Sequence, residues 1–507
     1  MLSRRSLLRA GAGVALVAAS GAVFTTAALG APAARINWAQ LRAHLSGSLV
    51  LPSDAAYPQA KHLALLQFDS ISPGGIAYCE TEADVATCLR FAQDNHIPAT
   101  PRSGGHSLAG WSTTTGLVID LSRMKSVAVG PQTVQVGPGV QAVDAMAQLA
   151  PHNLQLAAGL CGTVCPGGFV TGGGIGWQTR KFGVGCDHLV SARVVLADGR
   201  TVSCSADNEP DLFWALRGGG GGNFGIVTEF ELTPTQVPRV VTFDLSWPWE
   251  HAFEAVDAWQ QWTVHGSRNI GSTVSGLQLD AAAGNVPVLL IQGGYLGSPA
   301  DAEAALNELV SAVGVAPASR VVHDLSYYDA MMANWGCEGT VDQCHLEGYN
   351  AVANLPRDLM ILVHGRMFDE PLRGAGLRAA LDAVTADPHG GQFRNFSLYA
   401  LGGAANDVGA ADTAYVHRNA QFLTGFSAGF ATSSDYETDN AAANSWTDKA
   451  MAVIDPYSSG HSYVNFPDPD LPNWQHAYYG SNYERLRAVK RAVDPCDFFH
   501  RSQSVEV

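Results

Sequence analysis

The chain carries little charge and has no run of basic residues. Only 15% of its 507 residues are charged, and the formal net charge is −16. Proteins that bind nucleic acid use lysine and arginine to displace counterions from the phosphates. The acidic balance of this chain therefore excludes a polyanion as its main partner, and we expect no nucleic-acid binding.

Motifs for metal ions are also missing. The 16 histidines and nine cysteines form neither H-E-x-x-H nor a paired C-x-x-C, which are the spacings of common zinc sites. Internal repeats and low-complexity linkers are absent too. With 47% hydrophobic residues and 54 glycines, the sequence predicts a loop-rich globular protein without a metal, large enough for two or three substructures around sizeable cores.

A hydrophobic stretch of nearly membrane-spanning length occurs only at the N-terminus. Arg4 and Arg5 precede an uncharged stretch, Ala10 to Ala34, that is rich in alanine, glycine and valine. This arrangement is typical of a twin-arginine signal peptide, which we predict over residues 1–33. Because a signal peptide directs export, we predict a secreted, extracellular protein with no membrane contact after cleavage. An uncleaved anchor is the alternative, and the weak hydrophobicity of the stretch disfavours it.

The cysteines allow disulfide bonds if the chain is exported. Cys337 and Cys344 close a short loop, and they are the pair that we predict. Spacing alone does not assign partners to the other cysteines.

Two glycine-rich turns contain the side chains of greatest chemical interest. His106 lies in the turn at 102–107 (RSGGHS), and Cys161 lies in the turn at 159–164 (GLCGTV). Glycine lets main-chain N–H groups approach a pyrophosphate closely. An imidazole and a thiol placed in this way could both attack one electron-poor ring, and we predict that this ring is a flavin. Either turn alone would more often be a bend around a buried side chain, but the glycine-rich run at 167–176 favours the cofactor.

Strands and helices are mixed between residues 50 and 235. The pattern predicts strands at 75–78, 117–120, 133–136, 189–198 and 226–232. It predicts helices at 81–95, 141–150 and 211–217. A mixture of this kind, joined by glycine turns, indicates an α+β cofactor domain that ends near Pro234 to Pro238.

A second domain is predicted over residues 236–450. Its sequence predicts a helix at 301–313 and strands at 240–245, 275–279, 288–293, 359–364 and 421–430. We interpret this region as a large antiparallel sheet with helices on one face. The sheet would form the wall opposite the flavin and hold the substrate.

Two short motifs suggest other functions. Residues 220–225 satisfy G-x-G-x-x-G, but a nicotinamide site needs a strand before the glycines and a helix after them, and here the order is the opposite. Residues 425–429 match the hydrolase motif G-x-S-x-G around Ser427, with downstream candidate partners at Asp435, Asp455, His461 and His476. A hydrolase nucleophile needs a sharp turn into a helix, whereas the alternating residues here predict a strand. A serine hydrolase using Ser427 is kept as the alternative from another class.

Several stretches together resemble the berberine bridge enzyme-like oxidases, which belong to the vanillyl-alcohol-oxidase group with a PCMH-type FAD-binding domain. The matching stretches are 102–107, 159–176, 211–232, 463–471, 478–490 and 494–504. They span nearly the whole chain after the leader, in the order of the family. The resemblance implies a two-subdomain FAD-binding domain at 50–235, a substrate domain at 236–450, and a C-terminal segment at 451–507 that returns to the FAD domain through a helix at 483–493.

The resemblance also implies FAD that is bound covalently at two positions. In the family a histidine bonds the 8α-methyl group and a cysteine bonds C6, and these roles fall to His106 and Cys161. Cys165 stands where a glycine is usual, but the Gly-x-Cys spacing favours Cys161. The wider set of implied cofactor contacts is Arg102, Ser103, Gly104, Gly105, Ser107, Val164, Cys165, Pro166, Gly167, Gly168, Phe169, Gly172, Gly173, Gly174, Val227, Tyr463 and Asn465.

The implied reaction moves a hydride from the substrate to the flavin and the hydroxyl proton to a base, and dioxygen then reoxidises the flavin to give hydrogen peroxide. Val164 matches a small valine that admits dioxygen, which favours an oxidase; an ordinary core valine is the alternative. The usual tyrosine base is Phe466 here, and a second usual tyrosine is Leu108. A phenyl ring cannot accept a proton. We predict Tyr463 as the catalytic residue, with weaker candidates at Gln421 and Tyr399.

The substrates implied are the reducing end of an oligosaccharide or a secondary metabolite. Trp111, Trp335 and Trp474 could stack on a sugar, although each is more often a core residue. The sequence therefore predicts a secreted FAD-dependent oxidase. A flavin-binding protein without turnover is the remaining alternative.

Overall fold

The computed structural model describes residues 36–337, 339–357, 360–430 and 435–507. The predicted leader at 1–33 lies outside these ranges. Within them, no helix combines the length and the apolar composition that crossing a membrane requires.

A four-stranded sheet forms the first part of the fold. Its strands, in the spatial order β1-β2-β4-β3, are β1 (Ser48–Val50), β2 (Gly75–Tyr78), β3 (Ala99–Arg102) and β4 (Leu117–Asp120). Strand β4 runs parallel to both β2 and β3. Three helices accompany the sheet: α1 (Trp38–His44), α2 (Tyr57–Ala60) and α3 (Glu82–Asp94). Thr81 caps helix α3, and its hydroxyl accepts a hydrogen bond from the Asp84 N–H at 3.1 Å. The helix buries Val85 and Leu89.

A second, five-stranded antiparallel sheet follows. Its strands, in the order β5-β6-β9-β7-β8, are β5 (Val127–Val129), β6 (Val134–Val136), β7 (Leu189–Val195), β8 (Thr201–Ser205) and β9 (Ile226–Leu232). The helices in this part are α4 (Ala142–Leu149), α5 (Pro166–Phe169), α6 (Thr179–Phe182) and α7 (Pro210–Leu216). Helix α7 precedes the run of five glycines and β9 follows it, which confirms the order that argued against a nicotinamide site.

A seven-stranded antiparallel sheet dominates the rest of the chain. Its spatial order is β13-β10-β12-β11-β15-β16-β14, with β10 (Arg239–Pro248), β11 (Ile270–Gln278), β12 (Val288–Tyr295), β13 (Ser319–Ser326), β14 (Met360–Phe368), β15 (Phe393–Ala400) and β16 (Phe422–Phe430). One face packs against α8 (Ala252–His265), α9 (Pro299–Val313), α11 (Gly374–Thr385) and α12 (Tyr436–Ile454). A further helix, α10 (Tyr327–Asn334), follows β13. The predicted sheet with helices on one face is confirmed.

The sequence did not predict β13 or β15. Strand β13 lies at the edge of the sheet and is only half-buried, so it lacks a strong hydrophobic pattern. Strand β15 contains Arg394, which is 1% exposed and packs its guanidinium 4.6 Å from the ring of Trp446. A buried charged side chain removes the apolar periodicity on which such a prediction depends.

The C-terminal segment packs back onto the glycine-rich part of the chain. It contains α13 (Trp474–Tyr479) and α14 (Tyr483–Val493), and α14 contacts α7. The Tyr479 hydroxyl donates to the Gly219 carbonyl at 3.2 Å, and the Val505 N–H donates to the Asn223 side chain at 3.2 Å. These contacts support the loop of five glycines from behind. The domain limits predicted at 50, 235 and 450 stay predictions.

The structure also tests the predicted disulfide and the predicted role of Ser427. Cys337 and Cys344 form a disulfide, as predicted. Ser427 lies inside β16, paired with Asn395 on one side and Val363 on the other. An extended, fully paired strand has no turn into a helix at the serine, so the hydrolase interpretation is wrong.

Candidate active site

A cavity of about 480 Å³ lies between the glycine-rich turns and the seven-stranded sheet. Its volume is in the usual range for small-molecule and cofactor sites. His106 and Cys161 line one side. Strands β11, β14, β15 and β16 line the other side, and their cavity-lining residues include Thr273, Val363, Asn395, Ser397, Tyr399, Gly425 and Ser427. Because alternate residues of a strand face opposite ways, Phe396 and Phe426 point instead into the helix-backed core.

The two glycine turns meet through Thr163. His106 Nε2 lies 2.8 Å from Thr163 Oγ1. Thr163 is only two residues from Cys161, so this contact joins the imidazole to the turn that carries the thiol. The structure thus brings the two predicted attachment residues to one cavity.

Burial sets the charge of the imidazole. It lowers the pKa of His106 to about 4, and hydrogen bonding to the Thr163 backbone acts in the opposite direction. The ring is therefore neutral at pH 7 and keeps a nitrogen lone pair. A neutral imidazole is the form that can act as a nucleophile.

The two neighbouring thiols differ in access. Cys161 is exposed, whereas Cys165 is 4% exposed and its Sγ lies 3.5 Å from the Gly139 carbonyl oxygen. Burial raises the pKa of Cys165 well above that of an ordinary thiol. Because the thiolate is the reactive form, this difference favours Cys161 as the attachment residue.

The glycine turns leave no room for side chains where the chain passes close to itself. An ideal Cβ on Gly167 would lie 2.6 Å from Ser103 Oγ, and Gly105 has a φ of +70°. By contrast, a Cβ on Gly168 would meet nothing within 4 Å, so its main chain faces open space in the cavity. Such a cradle suits a phosphate group that approaches the backbone.

Arg501 adds a cation at this cavity. Its guanidinium lies 4.6 Å from the ring centre of Trp111, and its Nε atom is buried without a hydrogen-bond partner. One Nη donates to the Gly222 carbonyl at 3.4 Å. An unsatisfied buried donor beside a glycine loop fits an anionic group such as the pyrophosphate of FAD. Arg501 belongs to the matching stretch 494–504, but no role at the site was predicted for it from the sequence, because it meets the loop from the far end of the chain.

Several predicted cofactor residues do not line the cavity. Arg102 instead turns to Asp120, with Nε 2.5 Å from Oδ2, and its Nη2 donates to the Ala60 carbonyl at 2.8 Å. Its charge is therefore paired with Asp120 within the four-stranded sheet, while its Nη1 has no hydrogen-bond partner among the described residues. The other predicted residues outside the lining are Pro166, Gly172, Gly173 and Gly174.

The turn at 172–174 packs against the C-terminal segment rather than the cavity. The Gly174 N–H donates to the Tyr463 hydroxyl at 2.7 Å, and the Asn465 amide donates to the same oxygen at 3.0 Å. A Cβ on Gly172 would lie 2.0 Å from Asn465 Oδ1. Burial raises the pKa of Tyr463 well above that of an ordinary phenol. These features favour a neutral Tyr463 that supports the turn. They disfavour Tyr463 as the proton acceptor.

Gln421 does not line the cavity either. A Cβ built on Gly402, just after β15, would lie 2.6 Å from its side-chain oxygen. Gln421, which the sequence predicted as a catalytic candidate, therefore lies outside the cavity, beside the end of β15. Tyr399, the other candidate from the sheet, does line the cavity. Its ring meets that of Phe466 edge to face, with centroids 6.0 Å apart.

The tryptophans occupy three different environments. Trp111 lines the cavity beneath Arg501. Trp335 is 7% exposed, and its indole N–H donates to the Gly159 carbonyl at 3.1 Å. Trp474 packs among tyrosines of the C-terminal helices. Neither Trp335 nor Trp474 lines the cavity, so neither offers a stacking face there: Trp335 is a core residue, and Trp474 is half-buried against the core.

The remaining predicted cofactor contacts all line the cavity. They are Ser103, Gly104, Gly105, Ser107, Val164, Cys165, Gly167, Gly168, Phe169, Val227, Tyr463 and Asn465. Phe466 and Leu108 line it as well, in place of the two usual tyrosines. Contact of these residues with FAD stays a prediction.

Comparison with known proteins agrees with this site. A family model described as FAD binding domain matches residues 73–205, and one described as berberine and berberine like matches residues 462–506. The uncharacterized FAD-linked oxidoreductase YgaK of Bacillus subtilis is 30% identical over 479 residues, which cover 91% of this chain and 97% of YgaK.

Solved structures share the fold. BBE-like 1 of Physcomitrella patens is 25% identical with a TM-score of 0.81, covering 92% of this chain and 98% of that one. A glucooligosaccharide oxidase from Acremonium strictum, described with a 6-S-cysteinyl, 8α-N1-histidyl FAD, is 24% identical with a TM-score of 0.80, covering 92% and 99%.

Fold and site together define an FAD-linked oxidoreductase with a PCMH-type FAD-binding fold. More narrowly, the chain belongs to the berberine bridge enzyme-like family of FAD-linked oxidases.

Proposed function

We propose that the protein is an exported oxidase that removes a hydride from a CH–OH group, carries FAD on both His106 and Cys161, and uses dioxygen to form hydrogen peroxide. The observation that carries this proposal is the meeting of a neutral imidazole and an exposed thiol on one cavity. When bound there, FAD supplies the hydride acceptor. Ser103, Gly167 and Arg501 would hold its pyrophosphate.

The opposite wall supports a substrate that carries hydroxyl groups. Asn395, Ser397 and Ser427 line it with polar side chains, and the Asn395 oxygen is buried without a hydrogen-bond partner. An unsatisfied buried acceptor favours a ligand that donates a hydrogen bond. The similar fold of an oligosaccharide oxidase makes the reducing ends of oligosaccharides the first substrates to test, with secondary metabolites as the second class.

Tyr399 is the residue that we assign to the substrate proton. Its phenol belongs to the cavity wall, beside the Phe466 ring that replaces the usual base. Tyr463 and Gln421 are less suited, because one braces a glycine turn and the other lies outside the cavity. Holding and accepting the hydroxyl proton is the contribution that a positioned phenol can make.

The first test is acid precipitation of the purified protein. Yellow colour should remain with the denatured polypeptide, and His106→Ala combined with Cys161→Ala should release all of it. Aerobic peroxide formation on a panel of oligosaccharides and aromatic alcohols then tests the reaction. A folded, colourless protein would refute the proposal, as would a flavoprotein that reduces no dioxygen with any substrate.

Export is tested separately. The protein recovered outside a bacterial host with an active twin-arginine pathway should begin near residue 34, and replacing Arg4 and Arg5 by lysine should retain it inside the cell. Export that survives this replacement would contradict the twin-arginine route.

A further inference from the structure

We infer that Thr163 is a positioning residue that prepares His106 to bond the flavin through Nδ1. The inference rests on the covalent attachment proposed above. It concerns a side chain that neither glycine motif singles out.

The contact joins a buried hydroxyl to a half-buried imidazole. Thr163 is 3% exposed, and its Oγ1 lies 2.8 Å from His106 Nε2. It also lies two residues after Cys161, in the same turn. This hydrogen bond therefore holds the imidazole of one turn against a side chain of the other, and breaking it would leave the buried Thr163 hydroxyl without this partner, which is costly.

The hydrogen bond also selects one form of the ring. A neutral imidazole has one N–H and one lone pair, on different nitrogens. The Thr163 hydroxyl can either accept from Nε2–H or donate to Nε2, and we assign it the first role. If Nε2–H donates to Oγ1, the lone pair is on Nδ1. Thr163 then holds His106 in the tautomer whose Nδ1 can attack carbon.

The covalent step balances with dioxygen as the oxidant. A bond forms between Nδ1 and the 8α carbon, one proton leaves that carbon, and one proton leaves Nε2. Two electrons leave with the two protons, and dioxygen takes all of them to become hydrogen peroxide. The second proton departs from the nitrogen that faces Thr163, so the hydroxyl stabilises the positive charge that develops on the ring.

The experiment compares three variants of the full-length protein. Thr163→Val keeps the shape of the side chain and removes the hydroxyl, whereas Thr163→Ser keeps the hydroxyl. Thr87→Val makes the same change on helix α3, outside the cavity. Each protein is denatured and digested, and mass spectrometry measures the flavin on the peptide of His106 and on the peptide of Cys161.

We expect Thr163→Val to carry about tenfold less flavin on His106 than the wild type, because the substitution removes one hydrogen bond to the reacting ring. Flavin on Cys161 should persist and shows that the variant is folded around its cofactor. Thr163→Ser and Thr87→Val should match the wild type at both residues.

Three outcomes overturn the inference while the proposed function stands: wild-type flavin on His106 in Thr163→Val, equal loss in the valine and serine variants, or parallel loss from Cys161. A wild-type protein with no flavin on His106 overturns both.

Discussion

Lys490 and Asp494 form an ion pair in which neither side chain is exposed to solvent. The ammonium lies 2.8 Å from the carboxylate and also donates to the Asn223 carbonyl at 3.0 Å. Asn223 directly follows the run of five glycines, part of which lines the cavity. The pair therefore ties the C-terminal helix α14 to a loop of the cofactor site.

The first prediction concerns this pair. Lys490→Met leaves the Asp494 carboxylate buried without its partner, and such a change costs about 3–5 kcal/mol of unfolding free energy. As a control, Arg485→Met breaks the exposed pair with Asp211, which should cost about 0–1 kcal/mol. Urea denaturation measures both. Equal stability of the two variants would show that the buried pair does not support the fold.

The second prediction concerns the proton acceptor. Tyr399→Phe should lower kcat by about 10²–10⁴-fold, the usual contribution of a general base. Flavin content and the visible spectrum should not change, because the cofactor residues are intact. Gln421→Leu serves as the comparison and should retain kcat, since that side chain lies outside the cavity. Full turnover in Tyr399→Phe would assign the proton to another group.

A third expectation follows from the unsatisfied guanidinium of Arg501. In a protein that carries His106→Ala and Cys161→Ala, FAD binds without covalent bonds and its Kd can be measured by fluorescence quenching. Adding Arg501→Met should raise that Kd about 10- to 100-fold, because hydrogen bonds to charged groups contribute about 1.5–3 kcal/mol. Arg487→Met should leave the Kd unchanged, because the Arg487 side chain donates to the Val507 main-chain oxygen and does not line the cavity. An unaltered Kd in the Arg501 variant would remove this residue from the pyrophosphate site.

The two thiols give a fourth prediction. Cys161→Ser should abolish the sulfur-linked flavin, while Cys165→Ser should retain it, because the Cys165 thiol is buried and its pKa is raised. Peptide mapping distinguishes the two residues directly. Flavin found on Cys165 in the wild type would reverse the assignment.

The fifth prediction is a pH dependence. Protonation removes the lone pair of His106, and burial lowers its pKa to about 4. The rate of flavin attachment to apoprotein should therefore be constant from about pH 8 to 5 and fall by half near pH 4. With an ordinary histidine, the rate would fall by half at about pH 6.5. The free energy of unfolding should also decrease as the pH falls. The unfolded chain binds the proton first as the pH falls from about 6.5 toward 4, so the free energy of unfolding decreases over that range.

Circular dichroism at each pH separates loss of the lone pair from loss of the fold. A midpoint near pH 6.5 in folded protein would show that the imidazole is exposed to solvent during attachment.

The parts of this site that the sequence predicts are local. His106 and Cys161 stand in glycine turns whose composition indicates close approach of the backbone, and the predicted sheet follows from alternating residues. Arg102 shows the limit of that reasoning. It stands beside the same glycines, but its side chain is taken by Asp120, 18 residues away on the adjacent strand β4.

The contacts that the sequence did not predict join distant segments. Arg501 reaches Gly222 across 279 residues, and Thr163 reaches His106 across 57. The sequence predicts Tyr399 as a weaker catalytic candidate but not the strand β15 that brings it to the cavity. Such pairs depend on the tertiary fold, so no window along the chain contains both partners.

The backward return of helix α14 has a consequence for biosynthesis. A ribosome adds Lys490 only after the first two sheets have been synthesised, and until then the carbonyl of Asn223 lacks the ammonium that donates to it in the folded protein. The nascent polypeptide thus cannot present a finished nucleotide cradle while it is being translated. Loading with the prosthetic group must wait until synthesis has passed this helix.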